Sequence, residues 1–139
     1  EFQLMSAGTG VTHSEYNRES SELVFLQIWI HPDTHNTEPG YQQRRFATRQ
    51  GLQLVASPDG ADDSLRIRQK ARVWQGQLTG GASSTHAMAG KTAWIQVIQG
   101  RLEVAGTLLH AGDGAELREQ PSLQLRGDAD TVFLLFDLP

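Results

Sequence analysis

There is no cysteine among the 139 residues. That excludes a disulfide framework and any zinc site of the cysteine type. Positive charge is scarce as well: 12 Lys and Arg against 16 Asp and Glu leave a net charge of −4. A nucleic-acid binder ordinarily shows a basic surface to the phosphates, so no nucleic-acid partner is expected. No apolar run approaches the ~18 residues of a membrane-crossing helix, and no membrane partner is expected. The start carries no basic stretch followed by an apolar core, the pattern of a secretory leader. Together with the missing cysteine, this makes a cytoplasmic location the expectation. The chain opens on Glu1 and not on Met, from which a start inside a longer reading frame, or processing, is expected. No P-loop, no G-x-S-x-G elbow and no dinucleotide glycine fingerprint occurs.

Strand patterns fill most of what is there. Leu23–Ile30 (LVFLQIWI) is rich in β-branched and aromatic residues and stops before Pro32, where a ladder would lose a donor. GLQLVAS puts Leu52 and Leu54 on one face, and SLRIRQKARVWQGQL turns Leu65, Ile67 and Val73 inward. AWIQVIQG, RLEVAG, TLLHAG, GAELRE, SLQLRG and TVFLLFDL follow, punctuated by Gly100, Gly106, Gly112, Gly114 and Gly127. Short strands at even spacing with glycine turns predict an all-β sandwich or small barrel. The best helix pattern is Glu38 to Gly51, where a turn or two could close before Gly51. His31 and His35 flank Pro32 and turn residues, which puts them in a loop. Arg66, Arg68, Lys70 and Arg72 alternate; on one strand they would form a positive, solvated face. Trp29, Trp74 and Trp94 lie in strand-like stretches, where core packing is the default.

The segment Gly8, Gly10, His13, Asn17 has the spacing G-x-G-x-x-H-x-x-x-N. Glycines suit a tight turn between strands. Such a turn can present His13 to a metal through a neutral imidazole. Glu15 stands two residues on, so on a strand it would share a face with His13. This spacing resembles the second conserved motif of cupins, with Gly8 where many cupins have proline. The longer string EFQLMSAGTGVTHSEYN, with LQIWI, YQQRRF, WIQVIQG and LLFDLP, resembles the pirin family along essentially the whole chain.

The resemblance implies an all-β fold, a cupin double-stranded β-helix barrel with extra N-terminal strands. Pirins are bicupins, and on that pattern residues 1–30 correspond to the terminal strands of an incomplete first cupin domain and its connection, and residues 31–139 to the C-terminal cupin domain. The family's metal, Fe(II) or another divalent ion, sits in the first domain on three His and one Glu, two of the His coming from an H-x-H motif. His13 and Glu15 match the remaining two ligands. No H-x-H occurs among the five histidines, so the pair is half of a site and no metal is expected on this chain alone.

The second domain can be tested for a site of its own. With Gly100 closing the first cupin motif, the Glu position falls on Ala93, and the two His positions fall on Ala89 or Met88 and on Ala87 or His86. With Gly106 opening the second, its last His position is Leu117. At most His86 survives, and one imidazole does not hold a divalent ion.

The activity that the resemblance implies for the parent is that of quercetin 2,3-dioxygenase, with a flavonol-like small molecule as partner, His13 as a metal ligand and Glu15 as a ligand or as the base for the flavonol proton. The 139 residues themselves are expected to be a non-catalytic cupin scaffold. The alternative is an iron-dependent redox-sensing regulator acting through protein partners. A homo-oligomer is expected through the N-terminal strands, because Phe2, Leu4, Met5 and Val11 would otherwise be exposed on an unpaired edge. Pairing of Phe2–Tyr16 across copies would hide it.

Overall fold

The computed structural model describes residues 1–139. Twelve strands and one 3-10 turn make up its regular structure. β1 (Phe2–Ser6) and β2 (Gly40–Arg44) form a separate two-stranded ribbon. The barrel begins with β3 (Gly51–Ser57), the 3-10 turn Ala61–Asp63 and the short β4 (Leu65–Arg66). It continues through β5 (Arg72–Leu78), β6 (Ser83–Ala87), β7 (Thr92–Gln99) and β8 (Arg101–Val104). It closes with β9 (Thr107–His110), β10 (Gly114–Arg118), β11 (Ser122–Gly127) and β12 (Thr131–Leu138).

These strands build two sheets. Six run in the order β10-β7-β12-β5-β3-β4, and four in the order β6-β11-β8-β9. All pairs are antiparallel except β3 with β4. The space between the sheets is filled by Phe133, Leu135, Leu78, Ile95, Leu102 and Leu125, all fully buried. Each such side chain contributes roughly 1.5–3 kcal/mol by leaving water. Gly76 on β5 makes room for the Phe133 ring, since any Cβ there would run into it.

β12 is buried on both faces, which explains its continuous apolar run. Phe133 and Leu135 point into the barrel, while Leu134 and Phe136 point out, into a second cluster with Val55, Leu65 and Val73. The N-terminal segment covers that outer face with Phe2, Leu4, Ile30 and Phe46. Phe2 and Phe46 meet edge to face, with ring centroids 5.6 Å apart.

Three expectations are corrected. The Glu38–Gly51 segment is not helical: Gly40–Arg44 is a strand, paired in the register Phe2↔Arg44 and Leu4↔Gln42. A partner strand from the same chain outweighs the weak local helix preference. Leu23–Ile30 forms no strand. β-propensity measures fit to a half-buried pleated surface, and this segment has no ladder partner. Arg66 and Arg72 lie on different strands, β4 and β5, with a bend at Arg68–Lys70 between them, so no single face carries the four charges.

The edge that was expected to pair with a second copy is met within the chain as far as Ser6. Phe2 and Leu4 are half-buried against the second cluster, whereas Met5 and Val11 remain exposed.

Candidate functional site

The ribbon leads directly into the candidate ligands. After β1 the chain turns at Ala7–Gly10, closed by the Gly10 amide donating to the Ala7 carbonyl at 2.8 Å. Gly8 has φ +54, and a Cβ there would run into the backbone of Thr37–Pro39. Only glycine meets both demands. The Thr9 amide donates to the Thr37 carbonyl at 3.0 Å, locking the turn against the connecting segment.

His13 and Glu15 follow on a stretch without regular secondary structure, and both are exposed. The same-face argument therefore has no strand beneath it here. Asn17, the last residue of the motif, closes a turn of its own. Its Nδ2 donates to the Ser21 carbonyl at 2.7 Å, and its Oδ1 accepts the Glu19 amide at 3.1 Å. The two candidate ligands thus sit between two tied turns.

In kind, an imidazole nitrogen and a carboxylate suit a divalent cation, and neither side chain is committed to an ion pair. They stand as two donors only: no group of three or more metal-type side chains gathers in the chain. His31 and His35 lie in a loop, as expected, and His110 leans on Asp113, with 3.6 Å between Nδ1 and Oδ2.

The interior of the barrel holds apolar side chains at the positions that motif spacing assigns to ligands, and one buried polar pair. Ala93 and Leu117 stand directly opposite each other on β7 and β10; Ala93 is buried in the apolar core, and Leu117, half-buried, packs against it. Beside Ala93, across β12, stands Asp137. Its Oδ2 lies 3.0 Å from Nε2 of His86 and accepts the Ala89 amide at 2.9 Å, while Oδ1 accepts the Gly90 amide at 2.7 Å. His86 and Asp137 are 6% and 2% exposed. The Trp74 ring packs edge-on against the imidazole, centroids 5.2 Å apart, with its Nε1–H buried and without an acceptor. His86, the histidine nearest a cupin ligand position by spacing, lies against a carboxylate. Sequence reading missed Asp137, which falls at no cupin motif position, and it placed Trp74 in the core without its contact with His86.

Arg44 and Arg45 both find carboxylates. Arg44 reaches Asp63 at the barrel, at 3.5 Å, and Arg45 reaches Glu1 at 3.3 Å. The Gln43 side-chain amide, and then Arg45, hold the Glu1 carboxyl below its ordinary pKa.

A cleft of about 320 Å³ lies between the Leu26–Ile30 segment and the outer face of the six-stranded sheet, walled by Trp29, Trp94, Leu134 and Phe136. Trp29 stands almost free on its rim.

The geometry can be set beside known proteins. Residues 54–138 match the family described as quercetinase C-terminal cupin domain, and residues 1–30 match the family described as pirin. The chain is 43% identical to a quercetin 2,3-dioxygenase of Escherichia coli, over all of this chain and 61% of that protein. It therefore spans less than two thirds of that relative's length. Among solved structures, the crystal structure of YhhW from Escherichia coli matches with a TM-score of 0.91 at 40% identity, covering 99% of this chain and 59% of that one. The structure of the bacterial pirin YhhW from Escherichia coli in complex with nickel(II) matches with a TM-score of 0.74 at 37% identity, over 78% of this chain and 47% of that one. A quercetin 2,3-dioxygenase from Acinetobacter baumannii, at 22% identity and a TM-score of 0.58, shares the fold. The all-β cupin architecture expected from the sequence is the architecture found.

Proposed function

Because this chain belongs to the pirin family, we propose that it carries the C-terminal part of a flavonol 2,3-dioxygenase. On this reading residues 1–30 belong to a first cupin domain and residues 31–139 form the second. The observation that supports it is the 43% identity to a quercetin 2,3-dioxygenase along the whole chain, which includes the stretch bearing the uncommitted His13 and Glu15.

His13 would supply an imidazole nitrogen and Glu15 a carboxylate oxygen to a divalent ion, Fe(II) or another, whose remaining ligands would come from outside these residues. When bound, that ion supplies Lewis-acid and electron-transfer chemistry toward O₂. The work of this chain is to place the two donors. Glu15 is also the group suited to take the proton of the flavonol 3-hydroxyl onto a carboxylate oxygen, provided that its other oxygen faces the substrate. The C-terminal barrel takes no part in the chemistry. Its interior is apolar core, and its one surviving histidine is engaged by Asp137. Its role is that of a scaffold.

The test is turnover of quercetin by the full-length protein and by its His13→Ala variant. Oxidation that depends on His13 is the expected result. Absence of flavonol oxidation in a metal-loaded, folded protein would overturn the enzymatic reading and favour the regulatory one. The 139 residues alone are expected to oxidise quercetin no faster than the free metal ion.

A further inference from the structure

The edge of the barrel at Leu65–Gln69 is stitched to the connecting segment by side chains. Gln42, on β2, accepts the Arg66 amide at Oε1 and donates from Nε2 to the Arg66 carbonyl, both at 2.9 Å. It pairs with the backbone of β4 as a neighbouring strand would, and so closes an open sheet edge.

Arg68 reaches further. Its NH1 donates to the Thr37 hydroxyl and, at 2.8 Å, to the Glu38 carbonyl. Its own carbonyl accepts the Asp33 amide at 2.9 Å. Both acceptors of its guanidinium are neutral oxygens, so the contact fixes geometry and does not neutralise charge. An arginine presents several donors in one plane, which suits two acceptors on successive residues. The residues that Arg68 holds are the ones against which the glycine turn is locked. Thr37 accepts the Thr9 amide, and Thr37–Pro39 is the surface that only a glycine at position 8 can approach.

A continuous path of contacts thus runs from the rigid barrel through Arg68 to Thr37 and Glu38, and on to the Gly8–Gly10 turn that precedes His13. We propose that Arg68 is a positioning residue for the His13 and Glu15 pair: the second barrel sets the base of the ligand-bearing stretch in the first. The inference rests on the reading of that pair as metal ligands. It makes the scaffold role of the barrel specific: the barrel holds the base of the ligand-bearing stretch while its interior stays outside the chemistry.

The test uses the full-length protein with Arg68→Ala, Arg68→Lys and Thr37→Val, read by amide hydrogen exchange without metal and by titration with Co(II), whose visible spectrum reports its ligand geometry. In Arg68→Ala and Thr37→Val, the Thr9 amide is expected to exchange about tenfold faster, as the loss of one tied hydrogen bond allows. The Ile95 and Leu135 amides should stay protected, which shows the barrel intact. Co(II) affinity should fall about tenfold with an altered spectrum, the usual penalty for losing a supporting contact behind a ligand. Arg68→Lys should recover much of both. Unchanged Thr9 exchange would overturn the proposal. So would faster Thr9 exchange with unaltered Co(II) binding, in a protein where His13→Ala does weaken Co(II). If His13→Ala leaves Co(II) binding untouched, the metal reading itself falls, and the positioning role falls with it.

Discussion

Nε2 of His86 lies 3.0 Å from Oδ2 of Asp137, deep in the C-terminal barrel. The same carboxylate takes the Ala89 and Gly90 amides, so it ties the β6–β7 turn to the last strand. Two backbone amides donate to it, and the imidazole nitrogen lies within hydrogen-bond distance of the same oxygen that takes the Ala89 amide. Gly90 itself lies against the Leu138 backbone, where a Cβ would not fit. The fixed turn and the fixed C-terminal strand are one construction.

Asp137→Ala is expected to cost about 3 kcal/mol or more, because it strands two backbone amides and an imidazole in a dry interior. His86→Phe should cost less, since it removes one contact of the carboxylate and leaves the turn amides bonded. Urea denaturation of both variants orders the two effects. Equal losses would mean that the carboxylate serves only the histidine.

Gly76→Ala should be poorly tolerated. A Cβ there meets the Phe133 ring, which is fully buried and has nowhere to go. Overpacking of this kind costs about 1–3 kcal/mol. A companion Phe133→Leu exchange should recover part of the loss by vacating that space, which denaturant midpoints of the single and double variants would show.

Both results bear on what could be read in the sequence. Most strands of the barrel were legible between Leu52 and Leu138, from alternation over a buried face or, for Thr131–Leu138, from a continuous apolar run; polar Ser83–Ala87 was not, and the stretch from Leu65 to Leu78 divides into two strands. The ribbon was not legible either. Gly40–Arg44 has mixed propensity, and only the register against Phe2–Ser6, some 40 residues earlier, makes it a strand. Leu23–Ile30 misled in the opposite sense, since its composition is that of a strand while its backbone lacks a neighbour. At the candidate site, the glycine spacing and the resemblance it carried singled out His13 and Glu15, and the same motif spacing pointed to Ala93 and Leu117. Asp137 was not legible, because it reaches His86 from a strand 51 residues away along the chain, outside any motif. Arg68 read as one of four surface charges, and its contacts depend on a bend that alternation does not reveal.

Acid should act on the loop between β3 and β4. The Ser57 hydroxyl, followed by the Ala61 amide, holds the Asp59 carboxyl below its ordinary value of 3.8. A folded-state pKa below the unfolded one means that the contribution is complete above 3.8 and is lost as pH falls through the lowered value. Asp59→Asn should therefore melt below the parent protein at neutral pH, and the gap should narrow as the pH is taken below 3.8 and through the lowered value. Asp59 is exposed, so the gap should be small. Paired thermal melts at neutral pH and below pH 3.8 measure it.

The remaining liability is the segment from Leu23 to Trp29. Val24 is 82% and Trp29 87% exposed, and Leu23, Phe25, Leu26 and Ile28 are also open to solvent. So many neighbouring apolar side chains exceed the scattered exposure normal for a soluble surface. The backbone beside them has no ladder partner, so the stretch combines an open edge with a sticky face. The ribbon strands satisfy each other within the chain, which leaves this segment, with Val11 and Tyr16 beside it, as the part that should drive self-association of the 139 residues. Light scattering after size exclusion should show mass rising with concentration. Val24→Lys combined with Trp29→Lys should return a monomer, while changing stability by no more than about 0.5 kcal/mol for each exposed site. A chain that is monomeric at every concentration before these substitutions would show that the segment folds down onto the 320 Å³ cleft beneath it. Trp29 fluorescence would then be shielded from iodide, as that of the inward-facing Trp74 should be.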